Sequence, residues 1–453
     1  MRPVYCPSTS ELPISNRHST RHMSNCIILG GGVTGLAAGY ASGHPVYEAR
    51  SAPGGICASY YMTLENEDRR RTRPSDTPAY RFEIGGGHWI FGGDPAAKRL
   101  MHRLTPMRSY QRQSAVYLPE RDLRVPYPLQ NHLHQFEDSI AAAALTDMME
   151  APDHPRTTMD DWLQCNFGET LCDLFFTPFH DLYTDGLFTE IAPQDPYKSP
   201  ADLDEVVAGA FGQAEEVGYN VDFLYPEEGL DALMGRLAEH CDVRYDKRAV
   251  EIDVDTKTVA FADGSTASYK QLVSTIPLNR MLSLTDLTVP AQTDPYTSVL
   301  VLNIGGVPGP KCPEDHWVYV PRSTSGFHRV GFYSNVEDDF VPAGREERVS
   351  LYVERAYRGG RQPSEQDVDE YVASVVQELN DWGYLEEAEV VDPTWIDVAY
   401  TWSWPGSTWK HQALKVLDQH DVLMVGRYGR WVFQGIADSL RDGLFLGSTV
   451  QDL

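Results

Sequence analysis

The run Cys26-Ile27-Ile28-Leu29-Gly30-Gly31-Gly32-Val33-Thr34-Gly35 constrains this chain more than any other feature. A short apolar strand leads directly into G-x-G-x-x-G, and a small-residue helix, Leu36 to Ala41, follows. Gly30, Gly32 and Gly35 let the backbone turn tightly and let a pyrophosphate approach the helix N-terminus. There the unpaired N–H groups and the helix dipole favour an anion. A second apolar run, Pro45-Val46-Tyr47, ends on Glu48, about 20 positions on, where an acid suits a ribose hydroxyl. Strand, glycine turn, helix, strand and acid in this order read as a dinucleotide-binding βαβ unit.

Composition narrows the partners. The 453 residues hold 38 Lys and Arg against 65 Asp and Glu, a net charge of −27. That field argues against nucleic acid or an anionic membrane surface as partner, and an anionic substrate would need a local set of arginines. No run of about 18 apolar residues occurs, so no membrane span is expected. The seven cysteines are scattered, without C-x-x-C or Cys/His ligand spacing. Reduced thiols, a cytoplasmic location and no metal site are therefore expected. Residues 1–22 are polar with no apolar stretch and read as a disordered extension, or as preceding a true start at Met23.

The residues after the βαβ unit point to one dinucleotide. Glu48-Ala49-Arg50 is followed by Gly54-Gly55, and later by Glu83-Ile84-Gly85-Gly86-Gly87-His88. This pairing of E-x-R…G-G with a downstream G-G-H resembles the FAD-binding class that includes amine oxidases, protoporphyrinogen oxidases and UDP-galactopyranose mutases. The resemblance implies an α/β fold with a Rossmann-type FAD-binding domain, a helical insertion and an antiparallel-sheet substrate domain. The FAD-binding domain is expected from residues 23–100, 220–290 and 415–453, a mainly helical substrate-covering region from 101–219, and the substrate domain from 291–414. The resemblance implies noncovalent FAD held by Gly30, Gly32, Val33, Thr34, Gly35, Glu48, Ala49, Arg50, Gly54, Gly55, Gly86, Gly87, His88, Val250, Gly426 and Arg427.

Along the chain, residues 64–78 read as a solvated loop. Two prolines in Val125-Pro126-Tyr127-Pro128 preclude a central strand. Thr158 to Trp162 looks like a capped helix start. Leu224 to Leu237 reads as a helix, Asp263-Gly264 as a hairpin turn, and Val368 to Asn380 as an amphipathic helix. Strand signals recur at Ser298–Ile304, Trp317–Val320, Arg329–Tyr333 and Val349–Val353.

Within that class, several strings are similar to eukaryotic-type UDP-galactopyranose mutases. They include Gly86-Gly87-His88-Trp89-Ile90-Phe91, Tyr127-Pro128-Leu129-Gln130-Asn131, Trp317-Val318-Tyr319-Val320-Pro321, Phe327-His328-Arg329 and Gly426-Arg427-Tyr428-Gly429-Arg430-Trp431. The similarity implies a redox-neutral ring rearrangement of a nucleotide sugar, with reduced flavin as nucleophile and NAD(P)H as a candidate reductant. His88 and Arg329 would be the catalytic pair, with Arg329 on the substrate diphosphate. Tyr127, Leu129, Gln130, Lys198, Tyr319, Trp404 and Phe433 fall on the remaining substrate-side positions. Three of these depart from the pattern. Lys198 stands where a second arginine is expected, Phe433 where a tyrosine is, and Trp404 replaces the tyrosine of a Y-P pair. A point charge is no fork, and neither aromatic carries a hydroxyl. The departures keep open an FAD-dependent oxidase or desaturase of an amine or specialised metabolite. A catalytically silent flavin-binding protein is a third reading, and the intact glycines weigh against it. The oligomeric state is open.

Overall fold

In a computed structural model, residues 25–75, 77–150, 155–194, 202–213 and 221–452 are described. The expected extension at 1–22 lies outside them.

The first core is a parallel sheet. Its strands run in the order Val243–Arg244, Val46–Tyr47, Cys26–Leu29, Gln271–Ser274, Val422–Met424. The central strand Cys26–Leu29 is buried along its whole length, as a strand covered on both faces must be. The helix Val33–Ser42 lies on this sheet and packs closely on the last helix, Ile436–Thr449. Gly443 and Gly447 permit the close crossing: a Cβ on either would run into the backbone of Thr34 or Ala38.

The second core is a seven-stranded sheet. Its order is Leu385–Thr401, Tyr296–Pro308, Val349–Arg358, Arg329–Phe332, Trp317–Tyr319, Ser114–Leu118, Leu123–Pro126. Leu123–Pro126 takes an outer position, where its proline needs no ladder partner on the open side. Alternation divides the faces. Leu300, Leu302 and Val353 pack against Tyr371, Val375 and Leu379 of the helix Glu365–Asp381. Val299, Val301 and Tyr352 face the other way, toward the dinucleotide domain.

A helical layer covers one end of this sheet. It contains Asp138–Met149, Met159–Leu171 and Thr177–Thr184. Thr158 and Asp161 form a reciprocal capping box at the start of the second helix, as the sequence predicts. Among the described residues, no helix is long and apolar enough to cross a membrane, and no cluster of His, Cys, Asp and Glu could hold a metal ion.

The structure corrects three readings. The stretch 64–78 is not simply a solvated loop: Asn66–Arg70 pairs antiparallel with Ser59–Thr63. The guanidinium groups of Arg69 and, just beyond the strand, Arg73 lie over the Tyr60 and Tyr61 rings, which lets so charged a strand sit there. The region 101–219, in which the sequence already shows a strand-like Ala115–Leu118, also holds strands Met107–Gln111 and Leu123–Pro126, and Ser114–Leu118 and Leu123–Pro126 belong to the substrate sheet rather than to a helical cover. Finally, Asp222–Pro226 is a strand, and the helix starts only at Leu230, after the left-handed Gly229 (φ 94°).

Candidate active site

The glycine run folds into an open cradle. Gly30 has φ 100°, which favours glycine, and a Cβ on Gly35 would overlap the Gly30 carbonyl oxygen. Glu48 accepts hydrogen bonds from the Gly31 N–H at 2.5 Å and the Arg50 N–H at 2.9 Å, which fixes its carboxylate beside the turn. Gly54 donates its N–H to the Gly31 carbonyl at 2.8 Å and bridges Gly32. Gly32 caps the helix Val33–Ser42 without any side chain, no acid stands in its first turn, and a Cβ on Gly32 would meet nothing within 4 Å. A diphosphate fits there, against a helix terminus that the protein leaves uncapped. Ala49 links Glu48 to Arg50, whose Nη1 donates to the Gly55 carbonyl at 3.2 Å. Gly55 and Gly426 have φ 59° and 79°, and Gly426 abuts Thr34. Val250, at a bulge in the strand Ala249–Asp253, is 51% exposed, an apolar surface suited to cover by an adenine.

Beyond the cradle lies a cavity of about 500 Å³. The Gly85–His88 loop, the sheet floor, Tyr127, the helical layer and the loop Phe433–Ile436 line it. The sheet contributes Trp317, Tyr319, His328, Arg329, Glu354 and Tyr400, and the helices contribute Phe175, Phe179 and Tyr183. The walls are mostly rings, and Tyr127 and Tyr319 stand 5.0 Å apart.

Three polar groups dominate this cavity. His88 Nδ1 lies 3.3 Å from the Gly86 carbonyl, so Nδ1 carries the proton and Nε2 keeps its lone pair. Burial pushes its pKa down to about 4, so the ring is neutral at pH 7. Arg329 meets Glu354 across adjacent strands, with Nε at 3.0 Å from Oε2 and Nη2 at 2.6 Å from Oε1. The cation holds the Glu354 carboxyl down at about 2, although burial pushes the other way. Arg329 Nη1 makes no hydrogen bond among the described residues, and the side chain is 19% exposed. Arg427 donates to the Gln434 and Ala399 carbonyls at 3.2 and 3.1 Å and lies over the Phe433 ring at 4.5 Å.

The cavity thus brings together Gly87, His88, Tyr127, Tyr319, Arg329, Arg427 and Phe433, as the sequence reading expects. It does not bring in three others. Leu129 and Gln130 are buried in a short 3₁₀ segment away from the cavity wall, Leu129 within the helical cluster. Trp404 packs against that same cluster and donates its indole N–H to the Thr293 carbonyl at 2.9 Å. Gly86 lies just behind the wall, where a Cβ would press on Glu354 Oε1 at 2.7 Å. Lys198 lies outside the described residues. Sequence reasoning missed Glu354, Arg112, His328 and the ring wall of Phe175, Phe179 and Tyr183. His328 carried a local signal beside Arg329, and Phe175 and Phe179 carried one in the run Asp173 to Phe179, which is also similar to the mutases.

The comparisons with known proteins agree with this anatomy. The family model described as flavin containing amine oxidoreductase matches residues 44–448. A crystal structure of reduced UDP-galactopyranose mutase superposes with TM-score 0.80 at 22% identity, covering 94% of this chain and 95% of that one. A putative protoporphyrinogen oxidase from Exiguobacterium sp. 255-15 gives 0.67 at 14% identity over 95% and 99%. Wild-type putrescine oxidase bound to putrescine gives 0.53 at 16% identity over 94% and 98%.

Proposed function

Because this chain belongs to the flavin containing amine oxidoreductase family and binds FAD, we propose that it rearranges the sugar ring of a nucleotide sugar, as a flavin-dependent mutase. The observation that carries the proposal is the convergence of His88, Tyr127, Tyr319, Arg329 and Arg427 on one cavity. The whole-chain likeness to reduced UDP-galactopyranose mutase, well above that to the two oxidases, supports the same reading.

FAD, when bound, supplies the electron-rich centre that the side chains lack. The residues bind, orient and shield. Glu354 fixes the Arg329 guanidinium in place and leaves Nη1 to donate to an oxygen of a leaving diphosphate. The Tyr127 and Tyr319 rings clamp the substrate's flat or apolar faces and bring two hydroxyls with them. Neutral His88 accepts a substrate hydroxyl at Nε2 without adding a cation beside the cofactor loop. The ring wall excludes water, which would otherwise capture a reactive sugar carbon.

A second reading has its own support. Glu354 offsets the charge of Arg329, and Phe433 faces the cavity without a hydroxyl. Both features suit an oxidase or desaturase of a neutral or cationic substrate. Anaerobic reduction with dithionite or NAD(P)H, followed by a panel of nucleotide sugars, separates the two. Rearrangement only after reduction supports the mutase. Hydrogen peroxide release during aerobic turnover of an amine or other metabolite, with every nucleotide sugar inert, refutes it.

A further inference from the structure

The hairpin Ser59–Thr63/Asn66–Arg70 carries Arg69, Arg70, Arg71 and Arg73 at its end, in a chain of net charge −27. Two of the four are ion-paired. Arg69 Nε lies 2.7 Å from Asp392, with the guanidinium over the Tyr60 ring. Arg73 Nη1 lies 3.2 Å from Asp339, with its guanidinium over Tyr61. Arg71, between them, makes no hydrogen bond or ion pair among the described residues. Burial and then repulsion by Arg50 press its pKa below the ordinary arginine value, while Asp231 and Glu48 act the other way.

Those neighbours and the backbone register locate Arg71 in the same place. Glu48 and Arg50 belong to the dinucleotide cradle. Arg70 stands opposite Tyr61, so the chain at Arg71 runs back toward Ser59 and the Gly54–Cys57 turn. That turn is bridged to Gly32, at the head of the helix that awaits a diphosphate. Arg71 is exposed and unpaired at this rim, so its guanidinium can meet an anionic ligand there.

We propose that Arg71 is a cofactor-binding residue that, with Arg50, clamps the adenosine-side phosphate of bound FAD. It belongs to a part of the chain that reads as a loop and that the glycine fingerprint does not include. The proposal is independent of which reaction the flavin performs.

The test uses the full chain, deflavinated and reconstituted, with FAD affinity read from flavin fluorescence. ADP and adenosine serve as competing probes. Arg71→Ala is expected to weaken FAD about tenfold, as for loss of one charge-assisted contact, with the gap narrowing as salt rises. ADP should weaken as a competitor by the same factor, adenosine should not, and Arg71→Lys should recover part of the loss. Arg70→Ala, at the adjacent and likewise exposed arginine that stands opposite Tyr61, should stay within about twofold of wild type. The proposal is overturned by any of three results: wild-type FAD affinity in Arg71→Ala, an equal loss for ADP and adenosine, or an equal loss in Arg70→Ala. The melting temperature of the deflavinated variant should match wild type, and a fall that accounts for the lost flavin also overturns it.

Discussion

Replacing Glu354 with glutamine should make the protein less stable and its cavity a better anion binder. Glu354 is 3% exposed on its side chain and lies against Arg329, with His328 Nε2 at 3.5 Å. Holding a carboxyl at about 2 rather than its ordinary 4.5 corresponds to about 3 kcal/mol. Removing one member of a buried ion pair costs about 3–5 kcal/mol by general experience. Glutamine keeps one acceptor oxygen, and Arg329 retains some contact with solvent, so the lower figure, about 3 kcal/mol, applies. For a chain of this size that lowers the melting temperature by roughly 3–6 °C. The sign against pH follows from the depressed carboxyl. Its stabilisation is complete above about 4.5 and is lost as pH falls toward 2, so the gap between variant and wild type should shrink from pH 5 to pH 3. Meanwhile Arg329 keeps its charge without its counter-ion, and inorganic pyrophosphate or a nucleoside diphosphate should bind about fivefold more tightly. Calorimetry on the deflavinated protein and titration with pyrophosphate measure the two effects. A variant as stable as wild type, or one that binds pyrophosphate no better, refutes the account of the pair.

Three further outcomes follow. Arg329→Ala should keep its flavin but lose about 2–4 kcal/mol of substrate recognition, with little recovery in Arg329→Lys; wild-type kcat/KM in the alanine variant contradicts an anionic substrate. His88 and His316, both pushed down to about 4 by burial, stay neutral in the folded state while the unfolded chain takes up protons below about 6.5. Melting temperature should therefore fall as pH drops from 6.5 toward 4, and a flat profile between pH 7.5 and 5 refutes this. Heating should release FAD into the supernatant, and flavin retained in the precipitate would show a covalent bond.

The cofactor cradle was legible because its constraints are local. Gly30 and Gly35 sit where any side chain collides, and Glu48 follows at fixed distance along one βαβ unit. The acid that governs Arg329 was not legible. Glu354 is 25 positions away and meets Arg329 only through strand pairing, which a single sequence does not reveal. Arg71 was hidden for a related reason: a run of arginines has the composition of a solvated loop until tyrosine rings on the facing strand support it. Leu129 and Trp404 show the opposite error. Their strings resembled substrate-side positions, yet both residues pack with the helical cluster.

The parallel sheet is assembled from strands at 26–29, 46–47, 243–244, 271–274 and 422–424, and the last of these leads into Gly426 and Arg427. During synthesis, then, the glycine cradle leaves the ribosome early, with neither its closing strand nor the helix that packs upon it. Most of the polypeptide must be made before the flavin has a finished seat. A nascent or prematurely terminated chain lacking residues beyond 420 would expose apolar edges with no cofactor to cover them. Such a product should depend on chaperones, and flavin supply should affect the yield of the completed protein rather than its rate of translation.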